Sequence, residues 1–340
     1  MTTAALSELY RGLKDVGLSK RQVTDILPDW WDPTMANSES GMWETAVLLG
    51  RRLSVDAGAL LRGEIHFTAD VSPPRFKHTV RVTAIQLAPA TMMASSLAKA
   101  VLGAMSDQET LSLRSASEIR TEILASSAGR IDFDALLDFC WTHGIPVIPL
   151  PHLPKGVRKM DAAAIKVGAR PAIVIALRNN SKAWLSFLLA HELGHIFQGH
   201  VEENTAIVEG SLTDSTEFDA QSQHDQQELE ANAFAHALLG GDEADSLIRS
   251  WSASTPSVTL AAQATQQAAA LQTSPGHLIL RHAFRTHRWP EARSALNFLS
   301  DDLDAQASLI ARMQQEIDTS RLADDLQDYV EQITGVRAHR

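Results

Sequence analysis

"AHELGHIFQGH" occupies positions 190–200, and its reading decides what kind of fold surrounds it. On an α-helix, residues four apart lie on one face. His191 and His195 therefore project the same way, one turn apart, and both imidazoles can reach one ion. Glu192 lies about 100° further round the helix; it is poorly placed as a ligand and well placed to hydrogen-bond a water at such an ion. That is the mechanical content of an H-E-x-x-H motif. The plain alternative is a packed helix with two satisfied histidines. Leu188, Leu189, Leu193, Ile196 and Phe197 make the surroundings apolar, so two imidazoles and a carboxylate there carry a penalty unless each is paired. One cation pairs all three. Gly194 costs the helix about 1 kcal/mol relative to alanine and suits the close approach of a second backbone.

A zinc site needs a third protein ligand, and a catalytic one keeps a further position open. "QELEANAFAHALL" (227–239) supplies candidates on a second helix. Glu228 is the expected ligand, and Asn232, one turn on, the expected brace for a ligand's ring. Glu230 is a rival ligand that points away from the Asn232 face. His224 and His236 are candidates for an oxyanion or substrate contact, and His200 has no assigned role. The chain has one cysteine, Cys140, so no internal disulfide can form; a buried structural thiol is expected there.

Working outward, "DFDALLDFCWTHG" (132–144) reads as an amphipathic helix and "SASEIRTEILAS" (115–126) as one opened by a capping box, Ser115 with Glu118. "IPVIPL" (145–150), "AAIKV" (163–167) and "AIVIAL" (172–177) read as strands, the last two joined by the turn "GARP". The strand edge at 163–177 would pair an extended substrate. Ser181 or Asn180 caps the motif helix. The expected fold is α+β and mostly helical: a small three-stranded sheet with a hairpin packed on the H-E-x-x-H helix, flanked by helical N- and C-terminal regions. The expected organisation is a helical module at 1–65, linker and helices at 66–110, a metallopeptidase core at 111–245 and a helical region at 246–340. Within it, 66–78 reads as linker, 209–227 as polar loop, and about 302–333 as one helix with a broken heptad pattern.

"HELGH", "ELEANAFAHALL" and "GIPVIPL" with its hairpin together resemble the ImmA/IrrE family of zinc metallopeptidases over roughly 110–240. "MWETAVLLGRRLSVDAGALLRGE" (42–64) resembles the end of an Xre-type helix-turn-helix module, which also occurs in that family. The resemblance implies Zn2+ held by His191, His195 and Glu228, with Glu192 as the catalytic glutamate. It also implies cleavage of a specific partner, an Xre-type repressor, in stress, mobile-element or defence regulation. The chain departs from an oxyanion-stabilising tyrosine near the motif, since its only tyrosines are Tyr10 and Tyr329.

Net charge is −11, with 12 acidic residues and no Lys or Arg from 201 to 245. That balance disfavours nonspecific nucleic-acid binding and suits a basic protein partner. "PDWWDPTMANSESG" (28–41) stands where a recognition helix would lie, and residues 1–65 carry 7 basic and 9 acidic side chains, so DNA as a partner is weakly supported. The rival reading is a non-proteolytic regulator that binds DNA or neutralises a toxin, antitoxin-like, through the N-terminal module and the basic helices at 259–293, with a vestigial or structural zinc site. A dimer could form through the N-terminal module or the last helix. No apolar run reads as a membrane span and no secretory signal is evident, so no membrane partner is expected and the cytoplasm is the expected location.

Overall fold

The computed structural model describes residues 2–68, 75–76, 84–106, 111–126, 129–210 and 223–337. The chain begins with α1 (Thr2–Asp15), α2 (Lys20–Ile26), α3 (Glu39–Leu53) and α4 (Ala57–Leu61), followed by β1 (Arg75–Phe76) and α5 (Ala84–Ala104). Next come α6 (Ala116–Ser126), α7 (Phe133–Thr142), β2 (Val147–Pro149), β3 (Ala162–Val167), β4 (Arg170–Ile175), α8 (Lys182–Phe197) and β5 (Ala206–Glu209). The remainder is helical: α9 (Gln223–Leu239), α10 (Gly241–Ser250), α11 (Ser257–Ala268), α12 (Pro275–Thr286), α13 (Trp289–Leu296), α14 (Ala305–Glu316) and α15 (Asp324–Thr334).

The architecture is α+β and mostly helical, but the sheet is larger than three strands. Its order is β1-β5-β3-β4-β2, with four strands of three residues or more and the two-residue β1 at one edge. The β3–β4 hairpin is antiparallel, with Val167 opposite Arg170. Gly168 takes φ +59° at the first loop position, the positive φ that a II′-type loop places there. β5 adds antiparallel to β3, while β2 joins β4 and β1 joins β5 in parallel. β5 is only four residues long and runs straight into a polar stretch, so nothing in the sequence periodicity marks it. Its addition overturns the expected substrate edge at 163–177: β3 lies between β4 and β5, and β4 between β3 and β2, so their backbone groups are already paired.

Period-two alternation divides the sheet's side chains between two cores. Ala163, Ile165, Ala172, Val174, Ala206 and Val208 share one core with α5, α1, α3 and α15. Ala162, Ala164, Ile173, Ile175 and Ile207 share the other with α7, α8 and α9. Helix α8 thus lies on one face and α5 on the other. The segment Gln86–Ala104 of α5 is long and apolar enough to cross a membrane, contrary to the expectation from the sequence, because its scattered Ser, Thr and Lys disguise it; 83% of that window is buried here, as an all-round apolar core helix must be.

The single helix expected at 302–333 is two, α14 and α15, with a 3-10 turn at Thr319–Arg321 between them. Met313, Ile317, Tyr329, Val330 and Ile333 fill the chain's own core beside the N-terminal helices. There the buried Arg52 guanidinium lies 5.0 Å from the centre of the Tyr329 ring, and Tyr329 Oη donates to Arg52 O at 3.0 Å. Helix α10 starts at Gly241, where the sequence suggests only a stop, and α13 falls within the region 246–340 expected to be helical. Most of the expected linker at 66–78 and polar loop at 209–227 lies outside the described residues; Arg75–Phe76 and Glu209, from these two stretches, are strand.

Candidate metal centre

Helix α8 starts where Ser181 Oγ accepts from Trp184 N. Asp302, brought in from the C-terminal region, accepts from Ala183 N at 2.6 Å and from the Ser181 hydroxyl. A carboxylate at a helix N-terminus also meets the positive end of the helix dipole. From Ala183 to Phe197 every residue of α8 is buried, so the helix is threaded through the interior and its polar residues must find partners there.

Helix α9 crosses α8 at Gly194. A Cβ on Gly194 would lie 2.9 Å from Ala231 Cα and 3.0 Å from Ala231 O, so only glycine allows this approach. Three residues before Ala231, Glu228 meets both histidines: its carboxylate oxygens lie 3.4 Å from His191 Nε2 and 3.4 Å from His195 Nε2. The two Nε2 atoms are 3.1 Å apart.

Hydrogen bonds fix which ring nitrogen faces inward. His191 Nδ1 donates to Asn232 Oδ1 at 3.0 Å. His200 Nε2 donates to Glu230 Oε2 at 3.0 Å, which leaves His200 Nδ1 to accept from His195 Nδ1 at 3.1 Å. Both Nε2 lone pairs of the motif histidines therefore converge on one point. His200 reaches His195 because Gly199, at φ +75°, folds the chain back after the helix, and His200 N bonds His195 O at 2.9 Å. His200 went without a role in the sequence reading, since five-residue spacing does not place two side chains together while a helix continues; the glycine that ends the helix was the available signal.

Glu209 was also missed. It ends β5, is 2% exposed, and its Oε2 lies 3.9 Å from His191 Nε2. No motif spacing connects residue 209 to residue 191; only the pairing of β5 with β3 does. Glu192 is fully buried. Burial pulls His191 down, but the hydrogen bond and charge of Glu228, with the charges of Glu192 and Glu209, outweigh it and carry His191 up to about 9. Burial pushes His195 down to about 4, against its hydrogen bond to the Glu228 carboxylate and with the positive charge of His191. Burial would raise Glu228, yet its bonds to the two imidazoles hold it well below the usual carboxylate range.

The donor set fits a metal ion. Two imidazole nitrogens and a carboxylate suit zinc, and ligand bonds of about 2.0–2.2 Å in a tetrahedron put ligand atoms roughly 3.3–3.5 Å apart; the separations here are 3.1–3.4 Å. Among the described residues, His191, His195 and Glu228 form the one buried group of this kind. The other expected residues fall elsewhere. His236 packs between Phe187 and Phe284, one turn of α8 from His191. Glu230 binds His200 rather than the shared point, and the His224 side chain lies outside the described residues. Cys140 is a buried free thiol in α7, pushed up by burial.

Residues 140–243 match the family model for the IrrE N-terminal-like domain, peptidase M78, a family of metallopeptidases. The match takes in less than a third of the chain and all of the cluster. No curated protein and no solved structure matches the chain.

Proposed function

We propose that the chain is a zinc-dependent endopeptidase of the ImmA/IrrE type, with His191, His195 and Glu228 as ligands in the gluzincin manner and Glu192 as the base. The observation that carries this reading is the convergence of two Nε2 lone pairs and the Glu228 carboxylate, with a buried glutamate beside them. A zinc ion held there supplies Lewis acidity toward a scissile carbonyl and lowers the pKa of water. Glu192 accepts the proton of the attacking water and hands it to the departing amine. Asn232 and the His200–Glu230 pair hold the imidazoles in the tautomer that leaves Nε2 free.

The substrate in this reading is an extended segment of a partner protein, an Xre-type repressor. The acidic stretch 201–245 favours a basic partner. The N-terminal module serves docking rather than DNA reading: Arg11, Arg51 and Arg62 are ion-paired with Glu8, Asp325 and Glu64, and Arg52 is buried.

Burial favours a second reading. His191, Glu192, His195 and Glu228 are at most 1% exposed, as in a structural site serving a non-proteolytic, antitoxin-like regulator. Glu192→Gln separates the two. The peptidase reading expects the variant to keep its zinc and lose cleavage of its Xre-type repressor substrate by a factor of at least about 100. Full activity of that variant in the cell would leave the regulator.

A further inference from the structure

We propose that Glu209 is a fourth protein group of the metal centre, standing by the corner that His191, His195 and Glu228 leave open, and that the centre is latent until this carboxylate moves aside. The inference rests on the zinc reading above and adds what governs the fourth position.

Glu209 is delivered by strand geometry. Side chains alternate along β5: Ala206 and Val208 face the α5 core, while Ile207 faces the α8 core with Ala162, Ala164 and Ile173. Two residues after Ile207, Glu209 falls on that α8 face. It is an acid on an otherwise apolar surface of the sheet, 2% exposed. Burying a carboxylate there is costly unless positive charge compensates it. What faces it is the nitrogen aimed at the ion, His191 Nε2, 3.9 Å from Glu209 Oε2.

The strand itself is held. Asp161 N donates to Glu209 O at 2.8 Å, and the outer edge of β5 is paired with β1, Phe76 opposite Val208. With the strand backbone fixed in this way, any movement of the carboxylate toward or away from the centre is a movement of the side chain alone. Glu209 Oε2 is 3.9 Å from His191 Nε2, farther out than the 3.1–3.4 Å contacts of the triad and outside the group whose ligand atoms all lie within 4.8 Å of one another. A rotation inward makes a closed centre of four protein groups, the form of structural zinc sites; a rotation outward opens the corner that a catalytic site needs.

The test uses the full chain. Zinc affinity is measured by competition with a chromophoric chelator, and access to the fourth corner by titrating the cobalt(II)-loaded protein with acetohydroxamate. The wild type is expected to bind one zinc. Glu209→Gln is expected to bind one zinc about 10-fold more weakly or worse, and its cobalt form to take up acetohydroxamate at lower concentration. Zinc affinity and hydroxamate uptake equal to wild type would overturn the inference. So would weaker zinc binding without easier hydroxamate uptake. If Glu209→Gln loses its circular dichroism, Glu209→Asp, which keeps the charge and withdraws it by one methylene, is held to the same two shifts. A wild type that binds no zinc would remove the metal reading as a whole, whereas a zinc-binding wild type matched by Glu209→Gln would remove only the role of Glu209.

Discussion

His191 and His195 each tie Nδ1 to the protein and turn Nε2 inward, and the two ties differ in kind. Asn232, half-buried on α9, holds His191 directly, whereas His195 is held only through His200, by a Glu230 side chain that is 44% exposed. A hydrogen bond sheltered from water orients more strongly than one that water can replace. Asn232→Ala is therefore expected to weaken zinc binding by about 10–100-fold, and Glu230→Gln by clearly less, both read by chelator competition. Equal losses would mean that the indirect tie through His200 matters as much as the direct one from Asn232. Much of this site was legible beforehand. The i, i+4 spacings of His191 with His195 and of Glu228 with Asn232 are properties of single helices, and the structure brings these four residues together. His200 and Glu209 were not legible, since one depends on a left-handed glycine and the other on strand pairing.

At the level of elements, the centre exists because α8 and α9 touch backbone to backbone. Gly194→Ala gains roughly 1 kcal/mol of helix propensity. Against that, the new methyl would sit 2.9 Å from Ala231 Cα, and forcing apart two packed helices costs about 1–3 kcal/mol or more. The clash wins, so the variant is expected to melt at lower temperature and to bind zinc more weakly as Glu228 retreats from both imidazoles. An unchanged melting temperature and zinc affinity would show that the helices have slack at this crossing. The β3–β4 hairpin could be read from its turn and alternation, whereas β5 could not. Helix α13 lies in a region expected to be helical as a whole, and its own bounds are set by packing: Ala292, Ala295 and Leu296 share a core with α11 and α12.

Across the whole molecule, acid sensitivity follows from buried neutral histidines beside α8. Burial and the Arg281 charge push His236 down from 6.5 to about 4, and burial pushes His277 well below its usual value. An unfolded chain takes up these protons first, so between the two values it binds more protons than the folded one, and stability rises with pH. The contribution is complete above about 6.5 and is lost as pH falls toward about 4. Thermal unfolding measured across that range should show a falling melting temperature, and His236→Phe, whose ring matches the Phe187 and Phe284 surroundings, should flatten the fall. A slope identical to wild type would assign the acid sensitivity to other groups.

By itself the sequence determined whatever a single helix or hairpin can carry: the face shared by His191 and His195, the turn at Gly168, the caps, and the carboxylate–amide pair of α9. These depend on spacings within about one turn, which the covalent chain imposes directly. The tertiary structure decided the rest, because it concerns groups with no fixed distance along the chain. Packing of α8 against α9 brought Glu228 to the imidazoles, the fold-back at Gly199 brought His200, and the addition of β5 to β3 placed Glu209 beside His191. With β5 on β3 and β2 on β4, neither strand of the hairpin keeps a free edge.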